Sequence, residues 1–143
     1  MAHPQSPDAR PFAERRWTAP DGLRLFARDF APGSGVARTP IVAIHGLTRN
    51  SADFEAVAPL LAQSGRRVLA VDVRGRGLSD RAPDPMTYRP DVYAQDVLAL
   101  MDQAGIARAV FVGTSMGGLI TMALTTMRPR AVVAAVLNDI GPE

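Results

Sequence analysis

The strongest chemical signal in the chain lies in Gly113, Thr114, Ser115, Met116 and Gly117, with Gly118 following. These residues match the pattern G-x-S-x-G. They stand directly after the apolar run 109–112 and directly before a helical pattern. A strand that turns sharply into a helix puts the serine between them in a strained backbone conformation and exposes its hydroxyl. Large side chains on either flank would collide in so tight a turn, which accounts for the glycines. The hydroxyl then sits near the positive end of the next helix. Ser115 is therefore the candidate catalytic residue, and its chemistry would be nucleophilic attack on a carbonyl carbon. The plainer alternative is a glycine-rich turn whose serine is inert.

A serine hydroxyl needs a base to take its proton at neutral pH. The chain has 2 histidines, His3 and His45, and both precede Ser115. His3 lies in a polar, proline-broken stretch. His45 closes the apolar run 41–44 and is followed by Gly46 and Leu47; a structural histidine that braces this loop is the favoured reading. The segment Val71-Asp72-Val73-Arg74-Gly75-Arg76-Gly77-Leu78-Ser79 invites comparison with a dinucleotide loop. Asp80 stands where G-x-G-x-x-G needs its third glycine, and no helix opens at once. This segment reads as structural.

The elements that must position these residues follow from hydrophobic patterning. Strand-like runs at 15–19 and 23–30 flank Asp21 and Gly22, a hairpin signal. The runs 41–44, 68–73, 109–112 and 131–137 are continuously apolar, as expected of parallel strands buried on both faces. Three helical stripes lie between them. Phe54, Val57, Leu60 and Leu61 form the first, with Asn50 or Ser51 as N-cap and Pro59 delaying or kinking it. Tyr93, Val97, Leu100, Met101 and Ala104 form the second, bounded by Pro90 and Gly105. Leu119, Met122, Ala123 and Thr126 form the third, stopped by Pro129. Strand and helix alternate as βαβ units do.

Taken together, the elbow at Ser115, the strand ending in His45-Gly46-Leu47 and the D-x-R-G-x-G-x-S segment resemble the α/β-hydrolase family, in its serine-nucleophile branch. The resemblance covers about residues 15–143 and matches the front half of that family's catalytic domain. It implies an α/β fold: a mostly parallel sheet with an N-terminal antiparallel hairpin and helices on both faces, truncated after about the sixth strand. It also implies an oxyanion hole built from the backbone N–H groups of Leu47 and Met116. Residues 1–11 are expected to be a disordered tail, and 12–143 the amino-terminal part of a catalytic domain without its cap and last strands. In the family the acid and then the histidine follow the serine. Asp139 sits where some relatives carry the acid, after the sixth strand; a loop aspartate bonding local amides is the competing reading. The resemblance implies hydrolysis of carboxylic esters or related acyl substrates, with this chain expected to be inactive for want of a base. A non-catalytic half-domain that binds a ligand or partner is the alternative. The serine argues against the dehalogenase and epoxide-hydrolase branches, which use aspartate.

Composition narrows the partners. The net charge is +2, and all 16 basic residues are arginine, scattered along the chain. A nucleic-acid surface would need a clustered basic face, so none is expected. No apolar stretch reaches the length of a membrane span. Cysteine is absent, which excludes disulfides and thiolate metal sites and fits a cytoplasmic protein. The motifs supply their own nucleophile and oxyanion donors, so no metal or organic cofactor is implied. The expected partner is a small-molecule acyl substrate. The apolar run 131–137 would form an exposed sheet edge, which predicts poor solubility or partial unfolding and self-association through that edge.

Overall fold

Residues 11–33 and 35–139 are described by a computed structural model. The hairpin forms as its turn residues dictate. Strand β1 (Ala13–Thr18) pairs antiparallel with β2 (Arg24–Phe30), and Gly22 takes the positive φ of 91° that the turn requires. The continuously apolar runs become β3 (Ile41–Ile44), β4 (Val68–Asp72), β5 (Ala109–Thr114) and β6 (Val132–Asn138). The six strands are ordered β1-β2-β4-β3-β5-β6. β2 joins β4 antiparallel; the pairs β3–β4, β3–β5 and β5–β6 are parallel. Every residue of β3 and β4 is buried, because helices cover both faces of the sheet at its centre.

The two faces divide the side chains by alternation. Val42, Ile44, Leu69, Val71 and Phe111 pack on one face against α2 (Pro90–Ala104) and α3 (Met116–Met127). Ile41, Ala43, Val68 and Ala70 pack on the other, under Phe54 and α1 (Ala58–Gln63). Leu100, Met101, Ile120 and Leu124 are fully buried, each contributing roughly 1.5–3 kcal/mol of hydrophobic stabilisation. α2 follows its sequence pattern: Pro90 opens it, and Gly105 caps it in the left-handed conformation at φ 71°.

Two helical stripes differ from expectation. Phe54 belongs to a 3-10 turn (Ser51–Phe54) capped by the Asn50 side chain, and Pro59 stands in the first turn of α1. The chain therefore restarts its helix between Phe54 and Leu60, which turns Val57 and Leu60 outward and buries Ala58 and Ala62 instead. In α3 the buried face is Met116, Gly117, Ile120, Thr121 and Leu124, while Leu119 and Met122 are each 51% exposed. An apolar stripe does not single out a face when the whole helix is apolar. β6 is exposed along nearly its full length, as an edge strand. Of the expected tail at 1–11, only Pro11 falls among the described residues, and it is exposed.

Candidate active site

The turn from β5 into α3 has the strain that the motif implies. Ser115 adopts φ 52° and ψ −112°. Among the described residues only Asp139 is another non-glycine with positive φ. Such a conformation costs roughly 1–3 kcal/mol and persists only when its surroundings enforce it. Here the Ser115 amide donates to the Asn138 carbonyl at 2.8 Å, and the Gly118 amide donates to the Ser115 carbonyl at 2.9 Å. The flanking glycines are demanded by close approach. A Cβ on Gly113 would strike the Gly117 carbonyl oxygen, and a Cβ on Gly117 would overlap the Ile44 carbonyl oxygen. The turn is thus pressed against the end of β3.

That contact brings the loop after β3 to the serine. A Cβ placed on Gly46 would lie 3.7 Å from Ser115 Cβ and 3.7 Å from the Thr114 carbonyl oxygen. Leu47 follows at once, with its side chain 59% exposed. Met116, on the other side of the serine, is the first residue of α3 and is 6% exposed. Its amide belongs to the first turn, whose N–H groups have no partner within the helix.

His45 is fully buried and braces this loop. The Val73 amide donates to its Nε2 at 3.0 Å. That ring nitrogen must therefore be the unprotonated one, so Nδ1 carries the hydrogen and donates to the Gly46 carbonyl at 2.7 Å. Burial lowers the imidazole's proton affinity below its ordinary value; the Gly46 bond and the nearby Asp72 charge only partly oppose this. With both nitrogens engaged, His45 is a structural residue, as expected, and is not placed to serve Ser115 as a base. His3 lies outside the described residues.

Asp72, at the end of β4, is a staple. Its carboxylate accepts from the Ser51 amide at 2.7 Å and the Leu78 amide at 2.9 Å, while the Ser79 hydroxyl donates to its carbonyl at 2.6 Å. Gly77 approaches so closely that any Cβ there would overlap the Asp72 carboxylate. Arg74 is buried and forks onto Asp96 of α2 at 2.8 Å through both Nε and Nη2, and reaches Asp21 in the hairpin turn at 2.9 Å. Burial opposes the Arg74 charge, yet its bonds to Asp96 and Asp21 outweigh that and raise its proton affinity further. For Asp96 burial dominates and pushes the carboxyl up, with Arg74 pulling the other way. The segment that sequence marks as structural is held by these bonds, and its Arg76 also donates to the Leu47 carbonyl and meets Met116 Sδ.

Gly46, Leu47, Ser115 and Met116 are therefore gathered at the carboxyl ends of β3 and β5. Asp139 follows directly on the last paired rung, Thr114 with Asn138, and is exposed with φ 57°. Residues 140–143 lie outside the described residues. Sequence reasoning missed Arg76. The available signal was a long cation at the one position of the segment flanked by glycines on both sides.

A strained serine between glycines, at the carboxyl edge of a mostly parallel sheet, defines a class of protein, and comparison with known proteins agrees with it. The family model described as "alpha/beta hydrolase fold" matches residues 39–143, and the chain belongs to that family. It is similar to a 3-hydroxybutyrate-oligomer hydrolase of Cupriavidus necator, at 39% identity over 103 residues, covering 72% of this chain and 35% of the relative. It is similar to the mouse (Mus musculus) sn-1-specific diacylglycerol lipase ABHD11, at 41% identity over 103 residues, covering 71% of this chain and 33% of the relative. A solved α/β hydrolase from Novosphingobium aromaticivorans superposes with a TM-score of 0.86 and 50% identity, over 94% of this chain and 46% of that one. The chain thus spans about a third of the length of these curated relatives, which are hydrolases.

Proposed function

We propose that this chain carries the nucleophile and oxyanion hole of a serine hydrolase that cleaves carboxylic esters or related acyl substrates. The observation that carries this reading is the strained backbone of Ser115, held between Gly113 and Gly117 against the end of β3. Ser115 Oγ attacks the carbonyl carbon, and the Leu47 and Met116 amides receive the oxygen as it gains negative charge. Backbone donors suit this task because they are fixed before the reaction and need no side chain to reorganise. The leaving alcohol departs, and water then releases the acyl group from the serine. The proton from Oγ passes to a base that the described residues do not include, and that base returns it to the leaving oxygen as the alcohol departs. Diacylglycerol and 3-hydroxybutyrate oligomers, named for two relatives, are both carboxylic esters, which favours esters among acyl substrates.

A second reading, a non-catalytic ligand- or partner-binding protein of this fold, is favoured by one observation. Both ring nitrogens of His45 are committed to backbone groups, and the only other histidine in the chain is His3. The test is turnover of p-nitrophenyl acetate by the 143-residue chain and by its Ser115→Ala variant, with and without added imidazole as a base. The hydrolase reading predicts that with imidazole present the parent chain exceeds the variant by about tenfold or more, because Ser115→Ala keeps the oxyanion donors and removes only the nucleophile. It also predicts that imidazole widens the gap. Equal rates at every imidazole concentration would favour the non-catalytic reading.

A further inference from the structure

Arg76 makes contacts unlike those of its neighbours. Asp72, Arg74 and Ser79 are occupied with bonds that hold the fold together. The Nε of Arg76 donates to the Leu47 carbonyl at 3.2 Å, and its Nη2 meets Met116 Sδ at 3.8 Å. Nη1 is anchored at 3.2 Å on both the Arg74 carbonyl and the Tyr93 hydroxyl. The guanidinium also lies over two rings, 5.4 Å from the centroid of Tyr93 and 5.9 Å from that of Tyr88. A single planar group therefore touches the loop after β3, the start of α3 and, through Tyr93, the rigid body of α2. The flat fork of arginine makes this span possible; the single ammonium of lysine presents no such edge.

We propose that Arg76 is a positioning residue that sets the Leu47 and Met116 amides at a fixed separation in front of Ser115. The proposal rests on the reading above, in which those two amides bind the oxyanion. Leu47 is exposed, and the turn around it is closed by one bond, from the Arg49 amide to the Gly46 carbonyl at 3.1 Å. The Nε–Nη2 edge of Arg76 adds a second tether at the Leu47 carbonyl and reaches the Met116 side chain at Sδ. Without that bridge the two donors move independently, and misplacement on the scale of an ångström weakens transition-state stabilisation with little effect on substrate binding.

The experiment compares the full chain with Arg76→Met and Arg76→Lys by two readouts. The first is the amide NMR signals of Leu47 and Met116, with the Trp17 indole N–H, bonded to the Asp96 carbonyl, as a marker of the intact fold. The second is the Ser115-dependent part of p-nitrophenyl acetate turnover in the presence of imidazole, obtained by subtracting the Ser115→Ala rate. The expected result is that both variants shift and broaden the Leu47 and Met116 signals and leave Trp17 in place. The Ser115-dependent kcat falls by about tenfold to a hundredfold at unchanged KM. Lysine does not rescue, because charge without the fork does not bridge. The proposal is overturned if the two amides are unmoved in both variants, if lysine restores the parent signals, or if a Ser115-dependent kcat present in the parent is unchanged in both variants. If the amides move while Ser115→Ala matches the parent in rate, Arg76 retains its positioning role and it is the hydrolase reading that fails. Should Arg76→Met lose the Trp17 signal, Arg76→Lys alone carries the comparison.

Discussion

At the scale of single residues, the backbone beside the proposed nucleophile is held by side chains bonded within the fold. His45 illustrates this. Its Nε2 accepts from the Val73 amide and its Nδ1 donates to the Gly46 carbonyl, so a neutral imidazole joins the ends of β3 and β4. A proton on Nε2 would leave the Val73 amide facing another donor. Because burial depresses the folded value below the ordinary one of about 6.5, the unfolded chain binds a proton in that window that the folded chain refuses. The contribution is therefore complete above about pH 6.5 and is lost as pH falls toward the folded value. Urea unfolding at about pH 7.5 and about pH 5.5 should show lower stability at the acid end, in a window set by this histidine. His45→Gln should be less stable than the parent at the higher pH by about 1–3 kcal/mol, from the lost bonds, and should lose much of that pH dependence. A parent chain as stable at the lower pH as at the higher would contradict this reading. The bracing role was legible in the sequence, since a histidine closing a buried strand before a glycine has backbone groups on either side. Arg76 was not legible, because its partners Leu47, Tyr93 and Met116 are brought to it only by the fold.

At the scale of elements, the hairpin, β4 and α2 are tied by one buried ion pair. Arg74 forks onto Asp96 and extends to Asp21, while the Trp17 indole of β1 donates to the Asp96 carbonyl at 2.9 Å. Removing the cation strands a carboxylate among Tyr93, Val97 and Leu25. Arg74→Ala should therefore destabilise the chain by about 3–5 kcal/mol. Arg128 pairs with Asp102 at 2.7 Å on the surface between α2 and α3, and Arg128→Ala should lose only about 0–1 kcal/mol. Chemical denaturation of both variants checks the contrast, and equal losses would contradict it. The sequence held half of this information. Asp96 falls among the buried positions of α2 beside Tyr93, Val97 and Leu100, and a carboxylate there requires a cation. Which arginine supplies it depends on a contact between residues 22 apart in the chain. The strands at 41–44 and 109–112 were legible because short continuous apolar runs suit a sheet covered on both faces; the second extends to Thr114, through the first two residues of the serine motif. The buried side of α3 was not, because Leu119, Ile120, Met122 and Leu124 offer apolar character in every direction.

At the scale of the whole molecule, the sheet ends in two edge strands, the charged β1 and the apolar β6. β6 pairs with β5 along one edge only, and Val133, Val136 and Leu137 expose their side chains together with Leu119 and Met122 of α3. We propose that this edge associates with a second copy of the chain, since unpaired strand groups beside exposed apolar side chains are a template for further pairing. Sedimentation should show mass rising with concentration, and Val136→Lys should weaken the association, because charge on an edge strand opposes pairing. A chain that stays monomeric at all concentrations would remove this proposal. The same architecture leaves the serine turn accessible at the carboxyl ends of β3 and β5, where α/β sheets place their ligands. Ser115 is proposed as the reactive group there. Peptide mapping by mass spectrometry after incubation with p-nitrophenyl acetate and imidazole is the decisive measurement. An acetyl group is expected on Ser115, and none on the corresponding peptide of Ser115→Ala. An acetyl group on other residues alone, or the same labelling in both proteins, would contradict it.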